Sequence, residues 1–196
     1  MVETILALPV IILVGFSIVH LGLVYQTKSN LEYAALMAAR VGSVTSISVA
    51  QMRSEAVKRM APSQIGNVPI NAADVRIVVL NPTEAMFSPP CSAPPSANGV
   101  CDAGISDCEI PNFGLQYRST SAVCDGASIQ DANILRIKVI YTFNTHIPFM
   151  NMHMFTKDTG MKKNTGTTIS AVATVRMQSP ARYNSLSSCA FTATGC

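Results

Sequence analysis

The chain has 196 residues and a formal net charge of +3, too small to argue for nucleic acid as a partner. Its length suits one compact domain plus a long helix, and its positive mean hydropathy is concentrated in an N-terminal apolar run rather than spread along the chain. Six cysteines, at 91, 101, 108, 124, 189 and 196, all follow that run; an even count beyond a membrane-length segment points to disulfides and an oxidising compartment, with every pairing left open, and no CxxC spacing argues for zinc.

Residues 1–60 read as one long helix with two characters. From Thr4 to Tyr25 it is apolar, and that part alone measures roughly 32 Å, enough to cross a bilayer. Residues 1–27 form the membrane or filament-core part, and residues 28–60 an amphipathic part that packs on the rest of the protein. Pro9 should kink or loosen the first part, and Gly15 and Gly22 let neighbouring backbones approach closely. In the second part Leu31, Ala34, Ala35, Ala38, Val41, Gly42 and Thr45 recur at helical spacing. Such small residues suit either helix-on-helix contact or close packing on the protein's own sheet. The helix should end near Met60, because Pro62 cannot continue it.

The run does not read as a cleaved signal peptide. It lacks a charged n-region, exceeds the usual h-region and carries no clear A-x-A site. The basic residues Lys28, Arg40, Arg53, Lys58 and Arg59 follow the run, and alone they would keep the C-terminal side cytoplasmic. The cysteines argue the opposite, and a basic leader removed ahead of this numbering reconciles the two.

Residues 61–196 read as a β-rich head. Ser63 to Ala72 is a loop, and Val75 to Leu80 is a β-branched strand bounded by Asp74 and Asn81-Pro82. Residues 87–128 hold four cysteines among many Pro and Gly; this disulfide-rich insertion should be an irregular surface loop held by cross-links. Ile134 to Phe143 is the clearest strand, with Leu135, Ile137, Val139, Tyr141 and Phe143 on one face. Asn144 to Thr168 is a connection, and Ile169 to Gln178 a third strand whose alanines leave room for a helix. The fold class is therefore α+β: a long N-terminal hydrophobic helix on a small antiparallel sheet. Cys189 and Cys196 are expected to pair and tie down the C-terminus.

The N-terminal stretch resembles the TadE-like pilins, relatives of type IV pilins and pseudopilins. The residues that carry this are Val2-Glu3, Leu8-Pro9 within the apolar run, Leu21 to Tyr25, and Ala34-Ala35 followed by Ala38-Ala39-Arg40. Thr4 stands where family members commonly have phenylalanine. The resemblance implies a subunit made as a prepilin, held in the inner membrane, trimmed by a prepilin peptidase and drawn by pilus assembly machinery into an extracellular helical homopolymer. It also implies that Glu3 neutralises the N-terminal amine, here Met1, of a neighbouring subunit. In the family that glutamate is the fifth mature residue, and Glu3 stands two positions earlier counted from Met1. A buried carboxylate needs a cation in any register.

Other residues carry competing readings. Glu3 can also act as an interfacial residue favourable to the helix dipole. His20 lies inside the apolar run, where a neutral histidine bonded to a neighbouring helix is expected. His146, Met150, Met152, His153 and Met154 have ligand types that suit copper, but an apolar loop covering the sheet or touching a neighbour is the simpler reading. Arg176, Arg182 and Tyr183, with Lys157, Lys162 and Lys163, offer a modest basic patch for DNA or surface adhesion, or a set of isolated exposed charges. No GxSxG, HExxH, P-loop or GxGxxG pattern occurs, so no catalytic residue, metal or cofactor is expected. The favoured function is a filament subunit, major rather than minor; the alternative is a membrane-anchored, monomeric envelope domain that binds a ligand or surface through the cysteine-rich loop.

Overall fold

The computed structural model describes residues 2–64, 69–88, 91–92, 108–121, 123–143, 167–186 and 188–192, with side chains from Ala7 onward in the first helix. In chain order the elements are α1 (Val2–Val44), α2 (Val49–Met60), β1 (Val75–Asn81), β2 (Glu109–Ile110), β3 (Val123–Cys124), β4 (Ala127–Ser128), α3 (Ile129–Ala132), β5 (Ile134–Phe143), β6 (Thr167–Arg176) and β7 (Ala181–Arg182). The long apolar helix packed against an antiparallel sheet is the expected α+β arrangement.

The helix expected to run unbroken to Met60 is instead two helices. α1 ends at Val44, the chain turns through Thr45–Ile47, and α2 folds back along α1. The return is marked by Asn30 Nδ2, which donates to Ser63 Oγ just beyond α2 at 2.8 Å. Ser46 and Ile47 adopt left-handed backbone, with φ of 53° and 64°, a region that a β-branched residue rarely enters. What holds it is tertiary. Ile47 is fully buried, and its N–H donates to the Gly42 carbonyl at 2.9 Å. Ser46 N–H donates to Ser179 Oγ at 2.9 Å, and Ser185 Oγ donates to the Ser46 carbonyl. The Ser43 carbonyl accepts from the N–H groups of Gln178 and Ser179 and from Ser179 Oγ at 2.9–3.0 Å. The C-terminal segment thus supplies the partners that the interrupted helix would otherwise lack.

β1, β5 and β6 form one antiparallel sheet with β5 in the centre. β5 and β6 pair from Ile134↔Arg176 to Phe143↔Thr167, and β1 pairs β5 from Val75↔Tyr141 to Val79↔Ile137. Period-two alternation puts Ile77, Leu135, Ile137, Val139, Ala171 and Ala173 on the inner face, where all are buried. α1 lies over β6 and β5, and α2 over β1. Ala34, Ala35, Ala38 and Ala39 are fully buried on the inward side of α1. The small-residue stripe therefore faces the protein's own sheet, and the alanines of β6 take up little room beneath it. Gly42 marks the tightest approach: a Cβ there would meet Met52 Sδ at 2.4 Å and Leu135 Cδ2 at 2.9 Å.

The cysteine-rich insertion is pinned rather than wholly irregular. Cys91 and Cys124, both buried, form a disulfide with Cα atoms 5.6 Å apart. β3 and β4 make a hairpin whose turn, Asp125-Gly126, has φ of 47° and 81°, the double left-handed turn for which Asp-Gly is favoured. Ser128 and Asp131 form a capping box on α3. β2 pairs with β7, and Asn133 Nδ2 donates to the Pro111 carbonyl at 2.6 Å. Cys108 is also disulfide-bonded. Cys101, Cys196 and the Cys189 side chain lie outside the described residues, as does the expected Cys189–Cys196 pairing.

Gly42→Ala sets a helix-propensity gain of up to ~1 kcal/mol against overpacking of ~1–3 kcal/mol at a fully buried methionine. The expected outcome is a lower melting temperature of the detergent-solubilised chain, whereas Gly15→Ala and Gly22→Ala, where nothing lies within 4 Å of the added Cβ, leave it unchanged or higher. Replacing Cys91 and Cys124 together by alanine removes a cross-link spanning 33 residues and is expected to cost about 3–4 kcal/mol, read by chemical denaturation against the oxidised parent.

Candidate assembly surface

The sequence-derived candidates fall into two groups, one along α1 and one on the head. The first half of α1 extends beyond the head. Ten large apolar side chains between Leu8 and Leu21 are exposed, Ile11 at 68 % and Leu21 at 67 % among them. Leu23 and Val24 begin the contact with the core. α1 is long and apolar enough to cross a membrane by length and composition, with the segment from Ala7 carrying a mean hydropathy of 2.4 over its best window. Two of its hydroxyl groups are satisfied locally. Ser17 Oγ donates to the Leu13 carbonyl at 2.8 Å and Thr27 Oγ1 to the Leu23 carbonyl at 2.7 Å, which lowers the cost of placing them in hydrocarbon. Pro9 lies inside the helix and removes one backbone donor there.

His20 Nδ1 is shielded from solvent and has no hydrogen-bond partner among the described residues. Among the described residues no other helix of this chain supplies that partner. Gly15 and Gly22 face open space. Met1 and the Glu3 side chain, the expected assembly pair, lie outside the described residues.

Further along α1 the outward side stays exposed while the inward side is buried. Tyr25, Glu32, Tyr33, Leu36, Arg40 and Val44 are exposed. Arg59 of α2 lies 5.9 Å from the Tyr33 ring centroid and is held by Glu55, whose Oε1 is 2.7 Å from Arg59 Nε. That hydrogen bond and the carboxylate charge raise the guanidinium pKa above its ordinary value.

The basic patch expected near the C-terminus is rearranged. Arg182 Nε lies 3.3 Å from Glu109 Oε2, and Tyr183 donates its hydroxyl to Glu84 Oε1 at 2.7 Å, so both are engaged with acids. Phe87 meets Tyr183 and Phe191 edge-on, at 5.5 Å and 6.4 Å between centroids. Arg176 sits elsewhere, on the outer face of the sheet, where β-register sets it opposite Ile134 and diagonal to Arg136. Sequence reasoning missed this grouping; the alternation of β5 and β6 contained it once their pairing was known. Lys157, Lys162, Lys163 and the His146–Met154 cluster lie outside the described residues. Among the described residues no three His, Cys, Asp or Glu side chains come together.

Residues 1–40 match the family described as TadE-like protein. The match ends four residues before the end of α1, so it covers the exposed apolar half and the alanine stripe and leaves out the rest of the head. Comparison with curated proteins and with solved structures finds no match to either.

Two tyrosines carry a pH signature of the head. Burial, with the Asp74 charge, pushes the Tyr141 hydroxyl up, and the hydrogen bond to Glu84 pushes Tyr183 up. Folding therefore favours the neutral phenols: this stabilisation is fully present below the unfolded value of about 10 and is lost as pH rises through the folded values. In an alkaline titration followed by tyrosinate absorbance, a late-ionising fraction is expected that shrinks in both Tyr141→Phe and Tyr183→Phe.

Proposed function

We propose that this chain is a structural subunit of the TadE-like pilin class, which waits in the inner membrane and then polymerises through α1 into an extracellular Tad-like filament. The major-subunit role is favoured over a minor one. The observation that supports it most is the first half of α1: a continuous exposed apolar rod, attached to a folded head at one end only, in the stretch that matches the TadE-like family.

A rod of this kind needs an apolar surround. Each fully exposed large aliphatic or aromatic side chain costs roughly 1.5–3 kcal/mol in water relative to burial, and ten of them outweigh the whole stability of a typical domain. Lipid covers them before assembly. Identical rods cover them afterwards, in head-to-tail contacts that do not close and so grow a fibre. Since lipid and a neighbouring rod are equally apolar, the register must come from close packing and polar pairs. Gly15, Gly22, Glu3 and His20 take those roles, with the Met1 amine of a neighbour as the counter-charge for Glu3. A prepilin peptidase and extraction machinery are the implied partners.

The second reading, a monomeric membrane-anchored envelope domain, draws on Phe113 and Tyr117, which stand exposed on the insertion and could meet a ligand or surface. Shearing the cells separates the two. Filaments built chiefly of this chain are expected in the supernatant, and Glu3→Ala is expected to leave the subunit membrane-bound with at least about tenfold less filament. A chain that is absent from sheared fibres, with Glu3→Ala silent, favours the anchored domain.

A further inference from the structure

We propose that successive copies of this chain pack α1 against α1 in parallel, displaced by eight residues, so that Glu32 of one copy meets Arg40 of the next. This rests on the filament reading and names its register. Eight residues along an α-helix amount to ~12 Å of rise and ~80° of rotation. The exposed side of α1 beyond Leu23 therefore has two edges. Tyr25, Glu32 and Leu36 lie along one, and Tyr33, Arg40 and Val44 along the other.

Each member of the first edge has its counterpart eight residues later on the second. Tyr25 is set beside Tyr33, Glu32 beside Arg40 and Leu36 beside Val44. One displacement thus matches aromatic to aromatic, acid to base and aliphatic to aliphatic. All six residues are exposed in the single chain. Neither the Glu32 nor the Arg40 side chain has an ion-pair or hydrogen-bond partner among the described residues, whereas Glu55, Glu109 and Glu84 on the head each hold one. Arg59 over the Tyr33 ring fixes that edge in advance.

Other displacements fit worse. A shift of four sets Lys28 beside Glu32 but puts Glu32 against Leu36 and Leu36 against Arg40. A shift of twelve brings Lys28 against Arg40, two like charges. An antiparallel pair centred on Leu36 would also join Glu32 to Arg40. The apolar halves then point in opposite directions and cannot enter one bilayer from the same side. The parallel contact uses different edges on its two members, so each copy keeps a free edge for the next. The matched surface is continuous with the exposed apolar run below it, so a single interface extends from the membrane-length half up to the turn at Thr45.

The test is charge exchange in the full-length chain expressed in its own cells. Glu32→Arg and Arg40→Glu are each expected to lower sheared-filament yield at least about tenfold, and the double variant to restore most of it. A Glu32→Cys/Arg40→Cys double variant, oxidised on intact filaments, is expected to give a ladder of disulfide-linked oligomers, while each single variant gives none. Because both residues are exposed, membrane-extracted monomer levels should stay at wild type in every case. Single exchanges that leave yield unchanged, a double variant no better than the singles, or cross-linking that stops at dimers each overturn the register while leaving the filament reading in place. Wild-type fibres that lack the chain overturn both.

Discussion

The close contact between the alanine side of α1 and the sheet governs this molecule. Ala34, Ala35, Ala38 and Ala39 give α1 a side with almost no projecting bulk, and β6 answers with Ala171 and Ala173. Helix and sheet can then approach so nearly that Gly42 has no space for a methyl group against Met52 and Leu135. Large side chains at these positions would hold α1 off the sheet and lose the dispersion contacts that come with close packing. The head grips α1 on one side, and the opposite side stays uncovered from Ala7 to Val44. Everything proposed about assembly follows from that one-sidedness.

The grip also explains why the helix is interrupted. A straight helix through Met60 would carry Met52, Ala56 and Met60, all fully buried, away from the sheet. Folding back at Thr45 returns them to the core beside α1 and β1. The burial of these side chains and of Ile47, at about 1.5–3 kcal/mol for each large one, exceeds the ~1–3 kcal/mol that a strained left-handed residue costs. Ser179 and Ser185 then satisfy the backbone groups that the turn exposes.

This is where the sequence could be read and where it could not. The three main strands were legible for different reasons: Val75 to Leu80 is a β-branched run bounded by Asp74 and Asn81-Pro82, while β5 and β6 alternate. The apolar rod was legible from length and composition alone. The break at Ser46-Ile47 was not, since apolar residues keep helical spacing on both sides of it, and the groups that stabilise it lie more than 130 positions downstream in Ser179 and Ser185. Local pattern carries no trace of a partner that distant. The separation of Arg176 from Arg182 and Tyr183 was hidden for the same reason: neighbours in sequence went to different sheets once β6 ended and β7 joined β2. On α1 the small-residue stripe was visible, but whether it met the protein's own sheet or another helix was not.

One-sided attachment carries a further consequence for how an apolar rod can be both stored and used. If the head wrapped α1 completely, the rod could not meet a copy of itself above the bilayer, and contact would be confined to the greasy half, where lipid competes on equal terms. An unsupported rod would instead have its exposed side free to turn, and no charge on it could specify a register. Fixing the second half of α1 to a rigid sheet sets the azimuth of Tyr25, Glu32, Leu36 and Arg40 relative to everything below. Because α1 is one continuous helix from Val2 to Val44, that azimuth passes down to Gly22 and Gly15. A choice made between charges in water, where acid and base are selective, is thereby imposed on the apolar half, where packing alone discriminates weakly.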